Sequence, residues 1–573
     1  QFKAAINAGL GGNYMLMNDI DMSELGTVNR AVITGYFTGT LDGNGYKIKN
    51  LTITSNADYS GLFSITDGAN IKNLILENTN ISVAGVTVFA GGLAGFIKNS
   101  IINNCSSTNV NINANQTQKV GGFIGGAQTN NTITNCYSTG TISGSDYTGG
   151  LIGQNFNTSN ISLSFSSVSV TGTIFTGGLV GAHYGTCNLY DSYATGSVIA
   201  SGSSSGGLIG AMNTNSSVTS SYATGNVSSS AWASGGLIGS SNTNSTITSC
   251  YATGNVSSTS TSVGGLIGAN YTNSTITASY SSGNITGTNY VGGLVGYNST
   301  SVINSSYSSS SVLGLSQVGG LIGFLDMATI NSSYALGETR GNDKVGGFVG
   351  DCTNSTINSS SSSGKVTATS NFGGFAGTHT GASIDNTNFW NKDSSGQATS
   401  AGSAIGKTSA QFDAMTPVTS TWNSTDWDTT FENPVLKAIK NGNINMQTGA
   451  EATKNSCYAL KDMGLNFGGE LAISLDSISS AQSAISSIDK VMTYLSSKRS
   501  DIGVGINALS GRLDTNSTRK ENFISSSGVL KDTDMAVESA KFTKQQILRN
   551  MGMSMLQQSK NMQTNSIQQL LGL

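Results

Sequence analysis

The chain has 573 residues, a formal net charge of −3, and only 10% charged positions. That balance leaves no basic footprint for nucleic acid, and no run of 18 or more apolar residues is present to span a membrane as a helix. With 74 Gly and only 2 Pro, and with Val, Ile, Thr and Tyr recurring at regular places, the composition reads as a β-rich array rather than a disordered chain.

The opening QFKAAINAGLGGNY lacks the charged-then-apolar order of a cleavable signal peptide, and a start at Gln1 is expected of a processed or partial chain. In YFTGTLDGNGYKIKNLTI, from Tyr36 to Ile53, DGNG supplies a turn between short strands. Residues 1–90 are expected to form the first coils of a solenoid, with Gly61-Leu62-Phe63 as a degenerate version of the motif that follows.

That motif, Gly-Gly-[Leu/Phe]-[Ile/Val/Ala]-Gly, begins at Gly91 and recurs through Gly373. Its eleven copies are spaced by 27–30 residues, a period that marks stacked repeats. The segments between heads are short β-type runs such as STIT and NVSS, without a helical period, so residues 91–380 read as a parallel β-solenoid with coils of about 28 residues. A second register supports this. Tyr137, Phe165, Tyr193, Tyr222, Tyr251 and Tyr280 each follow their head by 16 residues, and Tyr307 and Tyr334 follow theirs by 15. Stacked coils would bring these rings into a ladder at the strand spacing, with the rings in the core. The small residue before each ring alternates between Ser and Cys, so cysteines such as Cys136 and Cys250 read as space fillers. Six cysteines without a CxxC pair favour neither a disulfide framework nor a zinc site.

Glycine-rich heads can cradle phosphate, but a phosphate loop needs a helix N-terminus behind it, and here strand and turn material follows. A β-helical carbohydrate enzyme is the more serious rival. It requires clustered ionisable groups, whereas the 134 positions between Asp191 and Asp326 carry no charge. His183 and His379, the only histidines, are about seven coils apart, and Asp343, Lys344 and Asp351 read as a solvated edge. No catalytic, cofactor or metal site is expected. The Asn, Ser and Thr of the surface are expected to form hydrogen-bonded ladders, with glycan contact or O-linked sugars as alternatives.

FWNKDSSGQ and TWNSTDWDTTFENPVLK break the period with aromatics and Pro434, so residues 381–440 read as the C-terminal cap. The repeats, together with the DGNG opening and this close, resemble the glycine-leucine-any-glycine (GLUG) repeat family of bacterial surface proteins and adhesins over roughly residues 1–440.

After a linker at 441–470 the pattern becomes helical. Ile478, Ala481, Ile485, Ile488, Met492, Leu495, Ile502, Ile506, Leu509 and Leu513 follow a 3-4 alternation. A second seam runs through Ala536, Ala540, Ile547, Met551 and Met555, so residues 471–573 are expected to form an α-helical coiled-coil hairpin. The stretch from Asn443 to Leu573 resembles the C-terminal region of bacterial flagellin. INMQTGA (Ile444 to Ala450), Asp532-x-Asp534-x-Ala536-x-Glu538, Lys544-x-x-Ile547-Leu548 and the Gln557-rich end carry the resemblance. It implies a structural, non-enzymatic subunit of an extracellular flagellar filament, exported without a cleavable signal peptide and used in motility. Implied partners are other flagellin subunits and, before secretion, a flagellar export chaperone, with no cofactor, nucleic acid or membrane. By the same resemblance, residues from Ile485 to Leu513 would build an outer helical tube and those from Ala536 onward an inner one. The N-terminal helices of flagellins are absent from these residues, so the chain reads as a fragment of a longer flagellin, with helices supplied by a partner chain as the alternative. The outward solenoid is expected to serve adhesion, with glycans or host surface proteins as candidate partners. The alternative is a cell-surface adhesin for which the helices are only an anchor.

Overall fold

The computed structural model describes residues 2–413 apart from 85–88, 115 and 117, the backbone of four short strands between 427 and 460, and helical positions within 541–561. The chain divides into two compact units, Gln1–Gly442 and Asn443–Leu573. The described part of the first is a succession of short strands wound into a parallel β-solenoid, and one coil describes the rest. Ser204–Gly206 leads into a head, the chain bends at Gly207 and Leu208, and Ile209–Asn213 leaves along a second face. A left-handed pair, Thr214 (φ 57°) and Asn215 (φ 56°), turns the chain into Ser217–Thr219. Ser220 (φ 48°) turns it again into Tyr222–Ala223, and Val227–Ser229 completes the coil.

Each strand pairs in parallel with its own copy one coil on, as in Ile209↔Ile238, Val218↔Ile247, Tyr222↔Tyr251 and Val227↔Val256. The copies form four sheets of 12, 13, 14 and 25 strands, the last holding both the aromatic and the NVSS-type strands. The 13-stranded sheet, which leaves the heads, counts the coils. Inside the coil Leu208, Ile209, Met212, Val218, Ala223 and Val227 are 0–1% exposed. Every coil buries its apolar residues chiefly against the coils on either side, so no coil is stable alone.

The head glycines are required by close approach. A Cβ on Gly207 would fall on the carbonyl oxygen of Gly236, and one on Gly206 on that of Ile209. Gly210, the last residue of the motif, lies against the backbone of Phe175 and Thr176. DGNG forms no hairpin. Thr40–Asp42 and Lys47–Lys49 lie in different sheets, and the motif is a corner between two faces. At Gly61 the head is one residue short: Ser60 pairs with Ala90, but Phe63 pairs with Ala94.

The left-handed corner recurs in each coil, where asparagine is the best-tolerated non-glycine residue. In the early coils its amides chain together, Asn73 Nδ2 donating to Asp42 Oδ1 at 3.0 Å, Asn104 to Asn73 at 2.9 Å and Asn135 to Asn104 at 2.9 Å. The next residue points inward. Ser279 Oγ donates to its own Thr277 carbonyl (2.8 Å) and accepts from the buried Cys250 amide of the preceding coil (3.1 Å). Ser164, Ser192, Ser221, Ser306 and Ser333 repeat this double role. Cys136 and Cys250 sit in the same column, donating Sγ–H to the carbonyls of Thr134 (3.3 Å) and Thr248 (3.2 Å). The cysteines are therefore more than fillers. Burial pushes both thiols up to about 12, which keeps them unreactive.

The outermost described coils are each covered by a short helix or a large side chain. At the start, helix α1 (Phe2–Ala8) buries Ile6 on the first coil, and Tyr14 Oη donates to the Gly9 carbonyl at 2.6 Å. Seven residues are too few for the sequence to show a helical period there. At the other end FWNKDSSGQ supplies Trp390, 6% exposed, and helix α2 (Lys392–Ser395), capped by the Asn391 side chain. Most of TWNSTDWDTTFENPVLK lies outside the described residues.

Gly207→Ala should lower stability by about 1–3 kcal/mol or more, because the added methyl meets backbone rather than a movable side chain. Urea unfolding followed by circular dichroism reads this, and a shift no larger than for an exposed Ser230→Ala control would contradict the steric account.

Candidate functional surface

The eight predicted rings form one stacked column. From Tyr137 to Tyr334, neighbouring centroids are 4.8–5.0 Å apart with interplanar angles of 2–12°. The spacing is that of the strands that carry them. The rings are not uniformly in the core: those from Tyr137 to Tyr280 are half-buried, while Tyr307 (7% exposed) and Tyr334 (4%) are buried. Desolvation raises the phenol pKa at Tyr193, Tyr222 and Tyr251, and furthest at Tyr334. Because each ring covers the faces of its neighbours, the column presents edges to solvent. It is a stiffening device and offers no flat face to a ligand except at its ends.

His183 and His379 occupy the same register position, linked coil by coil through Met212, Ser241, Asn270, Asn298, Leu325 and Cys352, with His183 buried and His379 exposed. Seven coil steps place them roughly 34 Å apart, so they do not act together. His183 is fully buried. Asn155 Nδ2 donates to its Nδ1 at 3.2 Å, which leaves the proton on Nε2, where it has no hydrogen-bonding partner. Desolvation pulls its pKa down to about 4, against a smaller upward pull from the Cys187 backbone.

The Asp343, Lys344 and Asp351 group differs from a solvated edge. Lys344 Nζ lies 2.7 Å from Asp351 Oδ2, Thr378 Oγ1 donates to the other oxygen at 2.6 Å, and the Asp351 side chain is only 8% exposed. The half-buried Asp343 accepts from Ser370 and Asn371, which hold its carboxyl below the usual carboxylate range. All of these contacts are structural pairings within the coil stack.

The aromatic cluster formed by Trp232, Tyr271, Tyr290, Tyr297 and Phe324 was not singled out by the repeat pattern. Trp232 and Tyr271 stack at 6.0 Å and 5°, and Trp232 is 48% exposed. The one available signal was a tryptophan in a turn whose counterpart one coil earlier is Ser203.

In the second unit the described residues include a helix across 543–561, on which Leu548, Met551, Met553, Met555 and Leu556 are 59–75% exposed. Among the seam positions, Ile478, Ala481, Ile485, Ile488, Met492, Leu495, Ile502, Ile506, Leu509, Leu513, Ala536, Ala540 and Ile547 lie outside the described residues. No described helix is long and apolar enough to cross a membrane.

Comparison with known proteins agrees with this division. Residues 117–143, 230–257 and 259–286 match the GLUG motif, and residues 485–571 match the bacterial flagellin C-terminal helical region. The chain thus pairs a β-solenoid that carries GLUG-motif matches with a segment similar to the flagellin C-terminal helical region. Its flagellin segment is 35% identical over 111 residues to flagellin A of Vibrio cholerae serotype O1, covering 18% of this chain and 29% of that protein. It is 34% identical over 105 residues to the flagellar filament core protein flaB2 of Brachyspira hyodysenteriae, covering 18% and 37%. A flagellin of Clostridium tyrobutyricum is 32% identical over 126 residues, covering 21% and 33%. The chain thus spans under a third of the length of the Vibrio relative. Residues 2–113 also match the N-terminal region of an M26 IgA1-specific metallo-endopeptidase. Here those residues are α1 and the first coils, and they contain no histidine. Among the described residues no three His, Cys, Asp or Glu side chains converge as metal ligands do.

Two outcomes follow from the geometry. Tyr334→Ala should cost about 3–5 kcal/mol, as for other buried aromatics, and Tyr193→Ala clearly less; equal losses in urea unfolding would contradict the gradient of burial. His183 has a folded pKa of about 4 against an ordinary 6.5, so the unfolded chain binds the extra proton. The stability it contributes is complete above pH 6.5 and falls as the pH drops towards 4, by roughly 3 kcal/mol in all. His183→Met, which copies Met212 of the next coil, should flatten that limb of the stability–pH curve; an unchanged slope would assign it to other groups.

Proposed function

We propose that this chain is a subunit of a bacterial flagellar filament whose outward domain is the GLUG solenoid. The observation that carries the reading is the match of residues 485–571 to the flagellin C-terminal helical region, in a chain whose other unit is a self-contained solenoid. In this reading the helical unit assembles with flagellin N-terminal helices and neighbouring subunits. Residues from Ile485 to Leu513 then contribute to an outer tube and those from Ala536 to Leu573 to an inner one. The exposed Leu548, Met551 and Met555 suit such packing, since methionine adapts to irregular apolar partners. The same apolar surface would need cover before secretion, which is the role assigned here to an export chaperone. The solenoid, covered at its outermost described coils and lacking free sheet edges across its coils, can extend outward without templating further strands. Its role is structural rather than catalytic, in keeping with the 134-residue uncharged stretch. A second reading, adhesion through the solenoid, is favoured by the exposed Trp232 on that uncharged surface.

Mass spectrometry of filaments purified from the cell that encodes the chain should recover peptides from both the solenoid and residues 485–571 in one polypeptide. Filaments from which these peptides are missing, while the protein is present in the cells, would overturn the proposal.

A further inference from the structure

Aromatic rings bind sugars by offering a flat apolar face to ring C–H groups, with neutral hydrogen-bonding groups alongside. Most rings of this solenoid are unsuited to that task. The eight-ring column has its faces covered by its own members, and Phe348 and Phe375 are buried against each other at 4.6 Å. Trp232 is different. Tyr271 covers one of its faces in a nearly parallel stack, which holds the indole in one orientation. In the direction of the preceding coil the matching turn carries only Gly202 and Ser203, to whose backbone Trp232 and Ala233 are hydrogen-bonded. That side presents a half-exposed indole above small residues. In Tyr271's own column the two earlier coils carry Asn242 and then Asn213, both partly exposed amides.

The electrostatic setting narrows the ligand. Trp232 lies inside the 134 positions that carry no charge between Asp191 and Asp326, and its surroundings are Ser, Thr and Asn. An anionic glycan would gain no counter-charge there. Neutral hydroxyl groups, in contrast, match amides and hydroxyls that both donate and accept.

We propose that the Trp232–Tyr271 platform, with the Asn213 and Asn242 amides beside it, binds a neutral oligosaccharide. The inference rests on the adhesion reading of the solenoid and not on filament assembly, so it can fail while the filament role stands.

The test uses the full chain against immobilised neutral oligosaccharides ending in glucose, galactose or N-acetylglucosamine, beside sialylated and sulfated counterparts. Binding to at least one neutral member is expected. Trp232→Ser, which copies Ser203 of the preceding coil and so preserves the coil, should weaken it tenfold or more. Trp232→Phe should retain part of it, and thermal unfolding of both variants should match the parent. If Trp232→Ser alters unfolding, Asn242→Ala, which leaves the indole in place, should still weaken binding several-fold. The proposal is overturned by no neutral binding, by binding confined to acidic glycans, or by neutral binding that neither Trp232→Ser nor Asn242→Ala weakens. It is equally overturned if Trp232→Ser abolishes self-association of the chain without altering sugar binding.

Discussion

Everything in the solenoid depends on backbone strands stacking directly on their own copies, with heads so close that no Cβ fits between them. At Gly206 and Gly207 the neighbouring carbonyl oxygens occupy the space a side chain would need. Once the heads are locked at that distance, all other positions of the coil are forced into register. Leucine then meets leucine, a ring meets a ring, and a serine meets the amide of the coil before it. The glycine motif is thus a spacing device, and the regularity of the sequence is a consequence of it.

That spacing also explains how a chain with so much Ser, Thr and Asn keeps a stable interior. A buried hydroxyl is costly unless it is paired, and the Ser164 to Ser333 column pairs each one twice, to the carbonyl two residues back and to the preceding coil's amide. Left-handed corners, which ordinarily disfavour residues with side chains, are tolerated because the same stack holds them coil after coil. In a separate inward column, at His183, a ring nitrogen is left without a partner and the coil becomes sensitive to acid. The stack therefore transmits both order and its local defects along the axis.

Much of this architecture was legible in the sequence. The 27–30-residue period, the aromatic register and the small residue before each ring all announce stacked coils. The flagellin-like tail was equally legible, because its motifs are long and depend on linear order. Less legible were features that need a third dimension. The cap helix Phe2–Ala8 is shorter than any readable period, and DGNG signals a turn without saying whether the strands it joins pair with each other. Asp351 reads as an exposed charge until Thr378 and Lys344 are seen to enclose it. Trp232 stands in a turn outside the repeated registers, and its exposure is set by what stands one coil before it and one coil after it.

The sequence by itself determined the repeat, its register and the division into a β-array and a helical tail. These follow from periodicity, and periodicity is a property of linear order. The tertiary structure decided which faces of the repeated residues remain available. Stacking consumes both faces of a ring inside the Tyr137–Tyr334 column and leaves Trp232, stacked on Tyr271, about half exposed, although both are aromatic residues in the same solenoid. Exposure of this kind depends on neighbours about 29 residues away in the chain and one strand spacing away in space, a relation that residue type alone does not carry.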